Sequence, residues 1–439
     1  MTPSISTNGS VRKWRRYPAY KDSGADWLDS VPTHWGIKQL KYAVTFQRGH
    51  DLPTDSRVEG GVPVVTSGGI TAWHNCWKAK GPGIVTGRYG TVGEFHYVEP
   101  DYWPHNTALY SIDLRGNFPR YLWYMLQSLS ELFLLNSAKS AVPGVDRNDL
   151  HPITVVVPSI GEQRAIAGFL DRETAKIDGL IAKKERLIEL LQEKRTALIS
   201  HAVTKGLDPT VPMKDSGVEW LGQIPAHWDT LKVKHIARKE RGAFTDGDWI
   251  ELPYITDQGI RLIQCGNVGT GRYQEQGFRY ISAQTFTELG CSEVLPGDIL
   301  VCRMRSSPRI RAGRACLAPS LGCRMVTAVD NCIIRPTALY DARYLVFQMS
   351  LPAYLDYVEE VARGGTRDRI SRAMLADFKF TIPPKREQMA IAENLSARTR
   401  QLDSLCEKVE AGIEKLREYR TALISAAVTG KIDVREEVV

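Results

Sequence analysis

Cysteine is scarce here and badly placed for chemistry. Of the eight cysteines in 439 residues only Cys76 falls in the first half, none forms a C-x-x-C pair, and no Cys/His set has zinc-finger spacing. Free thiols in a reducing compartment are the reading that follows. Long apolar runs are missing as well. The longest, such as 153–157, are strand-sized and far short of the ~18 residues a membrane span needs. Residues 1–11 lack the apolar stretch of a signal peptide, so a cytoplasmic protein without a membrane partner is expected. Nor does charge of one sign dominate. A net +7 permits nucleic-acid binding without demanding it, so the placement of the charges matters more than their sum.

The motifs of catalysis are also absent. An amino-methyltransferase needs an Asn/Asp-Pro-Pro-aromatic loop for the flipped base, but the only Pro-Pro is Pro383-Pro384, between Ile382 and Lys385. Gly266-Asn267-Val268-Gly269-Thr270-Gly271 is glycine-rich without the GxGxxG order, and no GxxxxGK[ST] loop exists to power a motor. The one [DE]-x-Lys triplet of nuclease type, Asp377-Phe378-Lys379, lies in an apolar strand-like segment and reads as structural. No catalytic residue, resident metal or bound cofactor is expected in this chain.

What is present is repetition. Glu162-Gln163-Arg164-Ala165-Ile166-Ala167 opens a stretch that closes at Arg195-Thr196-Ala197-Leu198-Ile199-Ser200. It returns as Glu387-Gln388-Met389-Ala390-Ile391-Ala392 and Arg420-Thr421-Ala422-Leu423-Ile424-Ser425, offset by 225 at both ends (387 − 162 and 420 − 195). A shorter element, Lys21-Asp22-Ser23-Gly24-Ala25-Asp26-Trp27-Leu28 with Val31-Pro32-Thr33-His34-Trp35, recurs as Lys214-Asp215-Ser216-Gly217-Val218-Glu219-Trp220-Leu221 with Ile224-Pro225-Ala226-His227-Trp228. Its offset is 193 (214 − 21), so the second intervening segment is the longer by 32 residues (225 − 193). His34 and His227 sit between Pro and Trp, a setting that suits a packed corner better than a catalytic site.

The chain therefore divides into a polar tail (1–16), a first variable domain (17–158), a long repeat (159–208), a second variable domain (209–382) and the repeat again (383–439). Within the variable domains, short apolar runs broken by Gly, Pro and Asn predict strands at 62–65, 83–86, 92–98, 153–157, 252–256, 298–302 and 329–334. Helical spacing marks 119–135 and 341–361. Each variable domain is expected to be a strand-rich α+β unit.

The long repeats predict helices. Ser159 stands three residues before Glu162, the spacing of a capping box. A heptad places Leu170, Ile177, Leu191 and Leu198 on one line and Leu180 and Leu187 on another, with Ile166, Ile181 and Ile188 widening the stripe. The copy places Leu395, Leu402, Val409, Leu416 and Leu423 on the first line and Leu405 on the second. Gly206 with Pro209, and Gly430, are the stop signals. A stripe of this length needs a partner helix, and an antiparallel coiled coil between the two copies is the economical arrangement. At ~1.5 Å per residue such a helix spans on the order of 60 Å, nearly two turns of duplex DNA.

The doubled Trp-Leu-x-x-[IV]-Pro-x-His-Trp and Pro-x-x-x-Glu-Gln-x-x-Ile motifs, in fixed order, make residues 17–433 closely resemble the specificity (S) subunits of Type I restriction–modification enzymes. The resemblance implies two target-recognition domains, each reading half of a bipartite double-stranded DNA target, and an antiparallel coiled coil that sets the spacer in a pseudo-twofold arrangement. It further implies two methyltransferase (M) subunits that dock on the helices and carry S-adenosylmethionine, with restriction and translocase (R) subunits completing the complex. The alternative is a stand-alone DNA-binding or scaffold protein with no methyltransferase partner.

Charge placement nominates the DNA contacts. Arg303, Arg305, Arg309, Arg311 and Arg314 lie in twelve acid-free residues interrupted by Ser306-Ser307-Pro308, and Arg363, Arg367, Arg369 and Arg372 surround Gly364-Gly365. Arginine suits both phosphate clamping and the guanine O6/N7 edge. In the first domain Arg88-Tyr89 stands where Arg303 stands in the second (303 − 88 = 215), and Lys139, Ser140 and Arg147 would take the place of the Arg363–Arg372 loop. Arg48, Thr66, Ser67, His105, Asn106 and Thr107 complete the candidates.

Overall fold

Residues 14–25, 27–89, 91–137, 144–305, 310–362 and 369–437 are described by a computed structural model. The chain forms two compact units, one of residues 1–185 with 410–439 and the other of 186–409. Each thus combines one variable domain with half of each long helix.

In the first unit, Thr45–Arg48, Ala108–Asp113, Gly83–Gly87 and Phe95–Val98 form an antiparallel sheet in that order. Gly83–Gly87 is buried throughout, as its unbroken small and apolar run predicts. A second sheet sets Gly69–His74 against Val62–Thr66, which pairs in parallel with Trp103–Pro104. Gly36–Gln39 and Thr154–Val157 pair where the domain opens and closes.

The second unit repeats this order. Phe244–Asp246, Asn331–Ile334, Ile299–Cys302 and Ala315–Leu317 form its main sheet. Ile260–Ile263 pairs in parallel with Met325–Thr327, and Asp229–Lys232 pairs with Lys379–Ile382. Some predictions need adjustment. The 119–135 stretch is two helices, Pro119–Gln127 and Ser130–Ser137, and the 341–361 stretch breaks before Pro352 into Ala342–Gln348 and Pro352–Ala362. Pro352 has no N–H to continue the earlier ladder and stands instead at the start of the next helix. Of 252–256 only Ile255–Thr256 is strand, because Leu252–Tyr254 turns as a 3₁₀ segment.

The long helices run Ile160–Lys205 and Lys385–Val428. At ~1.5 Å per residue each is on the order of 65–70 Å long. Gly206 and Gly430, at φ 77° and 73°, end them. Inside the first unit the halves run antiparallel, with Arg420 Nε 3.0 Å from Asp178 Oδ1 and Arg417 Nη2 3.3 Å from Glu185 Oε1. Inside the second, Arg195 Nε lies 3.4 Å from Asp403 Oδ1.

The seam corrects the expected heptad. Its first line is as expected, with Leu170, Ile177, Leu191, Leu395, Val409 and Leu423 buried and Leu198, Leu402 and Leu416 half-buried. Its second line lies four residues beyond the first, not three. On the first helix it is Thr174, Ile181, Ile188, Arg195 and Ala202; on the second, Thr399, Cys406, Ile413, Arg420 and Ala427, all buried or half-buried. Leu180, Leu187 and Leu405, expected on the seam, are 49%, 41% and 44% exposed. Both seam threonines return their hydroxyl to the carbonyl four residues back, Thr174 to Leu170 and Thr399 to Leu395, at 2.7 Å each. That bond satisfies a polar side chain inside the seam.

The short motif clamps the start of each helix. Glu162 accepts from His34 Nε2 at 3.0 Å and from Trp35 Nε1 at 3.4 Å. In the second unit Glu387 accepts from His227 Nε2 at 2.8 Å and Trp228 Nε1 at 3.0 Å. The neighbouring Gln163 and Gln388 take the backbone N–H of Phe118 (2.7 Å) and Asp341 (2.9 Å), at the entry to the next domain helix. Tyr121 and Tyr344 reach the far end of the other long helix, at Val428 O (3.5 Å) and Val203 O (3.4 Å). Each domain is therefore tied to the beginning of one long helix and the end of the other.

Candidate nucleic-acid interface

Five loops of the first unit converge where strands Thr45–Arg48 and Gly83–Gly87 end and Ala108–Asp113 begins. Gly49 permits the closest approach, since a Cβ there would stand 2.2 Å from His105 O. Gly49 N donates to Ala108 O (3.0 Å), His50 N to Pro104 O (2.8 Å) and His105 N to Val65 O (2.8 Å). Arg88 N donates to Thr107 O, and Arg88 O accepts from Val145 N, both at 3.0 Å.

The second unit builds the same frame. Gly247 N donates to Asn331 O (2.8 Å), Asp248 N to Thr327 O (2.9 Å) and Ala328 N to Ile263 O (2.9 Å). Arg303 N donates to Asp330 O (2.9 Å), and Arg303 O accepts from Ile370 N (3.0 Å). A Cβ on Gly247 would stand 2.3 Å from Ala328 O. The equivalence of Arg88 and Arg303 thus holds in the backbone, and with it come Gly49 with Gly247 (247 − 49 = 198) and His105 with Ala328 (328 − 105 = 223). The 32 additional residues enter stepwise between these fixed points, in the loops.

In the first unit Arg48 and Arg147 are exposed and line a polar cleft of about 610 Å³ together with Gln47, His50, Asp51 and Asp146. The Arg88 guanidinium lies 4.8 Å from the ring of Tyr89, which is 42% exposed. The small polar candidates brace loops. Thr66 Oγ1 donates to Gly69 O (3.2 Å), Ser67 N to Thr107 Oγ1 (3.4 Å), and Asn106 Nδ2 to Asp51 Oδ1. His105 lies 3.1 Å from Thr107 Oγ1 through Nδ1, and burial, then the Arg57 charge, lowers its pKa.

In the second unit the arginine cluster divides. Arg303 and Arg314 are 4% and 3% exposed. Arg303 Nη2 donates to Val329 O at 2.7 Å and lies 3.0 Å from Asp246 Oδ1. Arg314 donates to four carbonyls, those of Val268, Met304, Arg311 and Cys265, at 2.6–3.1 Å. Arg311 pairs with Asp356 and, at 3.0 Å, with Glu359. These three were expected to face DNA; here they hold loops and helices together. Arg305 is half-buried, and Arg369 is exposed and 3.2 Å from Asp330 Oδ1. Lys139, Ser140, Arg309, Arg363 and Arg367 lie outside the described residues.

Sequence reading missed Asp246. It is an acid in the position Arg48 occupies in the first unit, and only the ladders make that visible. Arg48 pairs with Leu109 and Leu109 with Thr86, just as Asp246 pairs with Cys332 and Cys332 with Val301. Asp377, of the nuclease-like triplet, accepts from Lys234 (2.8 Å) and Lys232 (3.0 Å), which hold its carboxyl down to about 2. No helix among the described residues is long and apolar enough to cross a membrane.

The family model described as the Type I restriction modification DNA specificity domain matches residues 32–190. The chain is similar to the specificity subunit of the Type I restriction enzyme MjaVIII of Methanocaldococcus jannaschii, 22% identical over 329 residues, 72% of this chain and 70% of the relative. It is also similar to the specificity subunit of the Escherichia coli enzyme EcoDI, 18% identical over 429 residues, 92% of this chain and 89% of the relative. The chain is thus similar to the specificity subunits of Type I restriction–modification enzymes. A solved structure from work on complex assembly and conformational transition of the type I R-M system has a similar fold. It has a TM-score of 0.62 and 15% identity over 92% of this chain and 99% of that one. These relatives are named as specificity subunits.

Proposed function

We propose that each unit reads one half of a bipartite double-stranded DNA target with the loops gathered at the end of its main sheet. The long helices set the gap between the halves. The observation that carries this is the identical backbone frame at the two reading ends, Arg88 O to Val145 N and Arg303 O to Ile370 N. The frame is constant while the side chains on it differ, which is what two readers of different half-sites require.

The outward leucines support a second role for the helices. Leu180, Leu187, Leu190 and Leu405 are 41–49% exposed, an apolar surface beyond what the seam uses. We assign it to the two M subunits, which would bring S-adenosylmethionine and the transferase site, with R subunits adding cleavage to the full complex. Mapping methylated adenines in the host genome tests this reading. A two-part motif should vanish when the chain is deleted; unchanged methylation would refute it.

A further inference from the structure

The two reading faces share a frame but oppose each other in charge at one position. In the second unit Asp246 lies 3.0 Å from Arg303 and 3.9 Å from Arg372. Two arginines around one aspartate leave a local charge of +1, and Arg303 is drawn under the surface at 4% exposure. The equivalent first-unit residues are Arg48, Arg88 and Arg147 (246 − 48 = 198, 303 − 88 = 215, 372 − 147 = 225), so a cation stands where the second unit has its acid.

Two acids, Asp51 and Asp146, line the same cleft and reduce that charge, but neither pairs with an arginine: Asp51 accepts from Asn106 Nδ2, and Asp146 caps a short helix by accepting from Asn148 N at 3.0 Å. Among the described residues none of the three arginines forms an ion pair. Arg48 and Arg147 are exposed at the cleft, and Arg88 rests on the Tyr89 ring. Exposed guanidinium groups at a cleft, with no carboxylate paired to them, are placed to meet an anionic or acceptor-rich partner.

We infer that Arg48 is a specificity-determining DNA contact of the first unit. With Arg147 across the cleft, it takes an acceptor edge of the half-site, a step the second unit's Asp246 forbids at the same place. The inference rests on the proposed bipartite reading. The acceptor chemistry has two sources in a duplex, phosphate oxygens and the guanine O6/N7 edge, and they differ in their signatures.

The test is selection from a randomised duplex library by the full chain assembled with its M subunits, using wild type, Arg48→Asp, Arg48→Gln and Arg48→Lys. Arg48→Asp recreates the Asp246 arrangement and should draw Arg88 into an ion pair. One half-site should then weaken by about tenfold or more while the other keeps its sequence and spacing. Arg48→Gln should weaken the same half. If the acceptor is guanine, Arg48→Lys will relax one base position, because lysine lacks the fork. If it is phosphate, Arg48→Lys will keep the sequence, and Arg48→Gln will reduce the slope of log affinity against log salt by about one. Arg48→Asp and Arg48→Gln chains that select both half-sites as wild type does would overturn the inference alone. A wild-type complex that selects no two-part sequence would overturn the underlying reading with it.

Discussion

Asp178 and Arg420 meet at 3.0 Å between the long helices of the first unit, and Arg195 with Asp403 repeats the pair at 3.4 Å in the second. Each residue has its repeat copy in the other pair (403 − 178 = 225 and 420 − 195 = 225). One contact has thus been used twice by an antiparallel seam.

Reversing the charge should therefore be costly alone and tolerated in combination. Asp178→Arg should lower unfolding stability by ~0.5–1 kcal/mol, since these side chains are partly exposed, and Arg420→Asp on the same chain should recover most of it. A double-mutant cycle by denaturant unfolding checks the coupling. Additive losses would mean the pair does not hold the register.

The helices should separate stability from assembly. Leu170→Ala or Ile177→Ala should cost ~2–4 kcal/mol through lost burial and the cavity left behind. Leu180→Glu with Leu187→Glu should change stability by less than ~0.5 kcal/mol, because both face outward. The same double variant should fail to co-purify M subunits. Normal co-purification would place docking elsewhere.

This division was only half legible in the sequence. The line from Leu170 to Leu198 was plain, but leucines stand three residues after it and isoleucines four residues after it, and periodicity alone favours neither flank. The structure selects the flank carrying Thr174, Arg195 and Ala202, residues that look least like a seam. Threonine fits because its hydroxyl bonds back to its own helix, and arginine fits because Asp403 answers it. The doubled domains and their helices were legible because repeats need no contacts to be recognised.

Glu162 and Glu387 should each hold their own unit together. Glu162→Ala would strip the buried Trp35 indole N–H of its acceptor and His34 of its partner, costing ~1–3 kcal/mol. Hydrogen exchange should show the loss concentrated in the first unit, and Glu387→Ala should reproduce it in the second. A uniform loss over both units in either variant would contradict the assignment.

Arg314 and Arg88 should behave oppositely. Arg314→Ala leaves four carbonyls without their donor and should destabilise by ~2–4 kcal/mol. Arg88→Ala should leave the melting temperature within about 2 °C while weakening DNA binding of the assembled complex, as measured by fluorescence anisotropy. In sequence the two looked alike, because the Val268 and Cys265 carbonyls that hold Arg314 lie far from the acid-free run, as do the acids that answer Arg303 and Arg311. Burial of an arginine is set by distant acids and carbonyls, and local composition does not register them.

The claim that the helices measure the gap meets its most direct test in lengthening both together. Inserting one heptad after Leu187 and one at the equivalent point after Gly412 preserves the seam and adds ~10 Å, about three base pairs of duplex. Methylated-adenine mapping of the host should then show the same two half-sites with about three more base pairs between them. Half-sites of altered sequence, or an unchanged gap, would contradict the account.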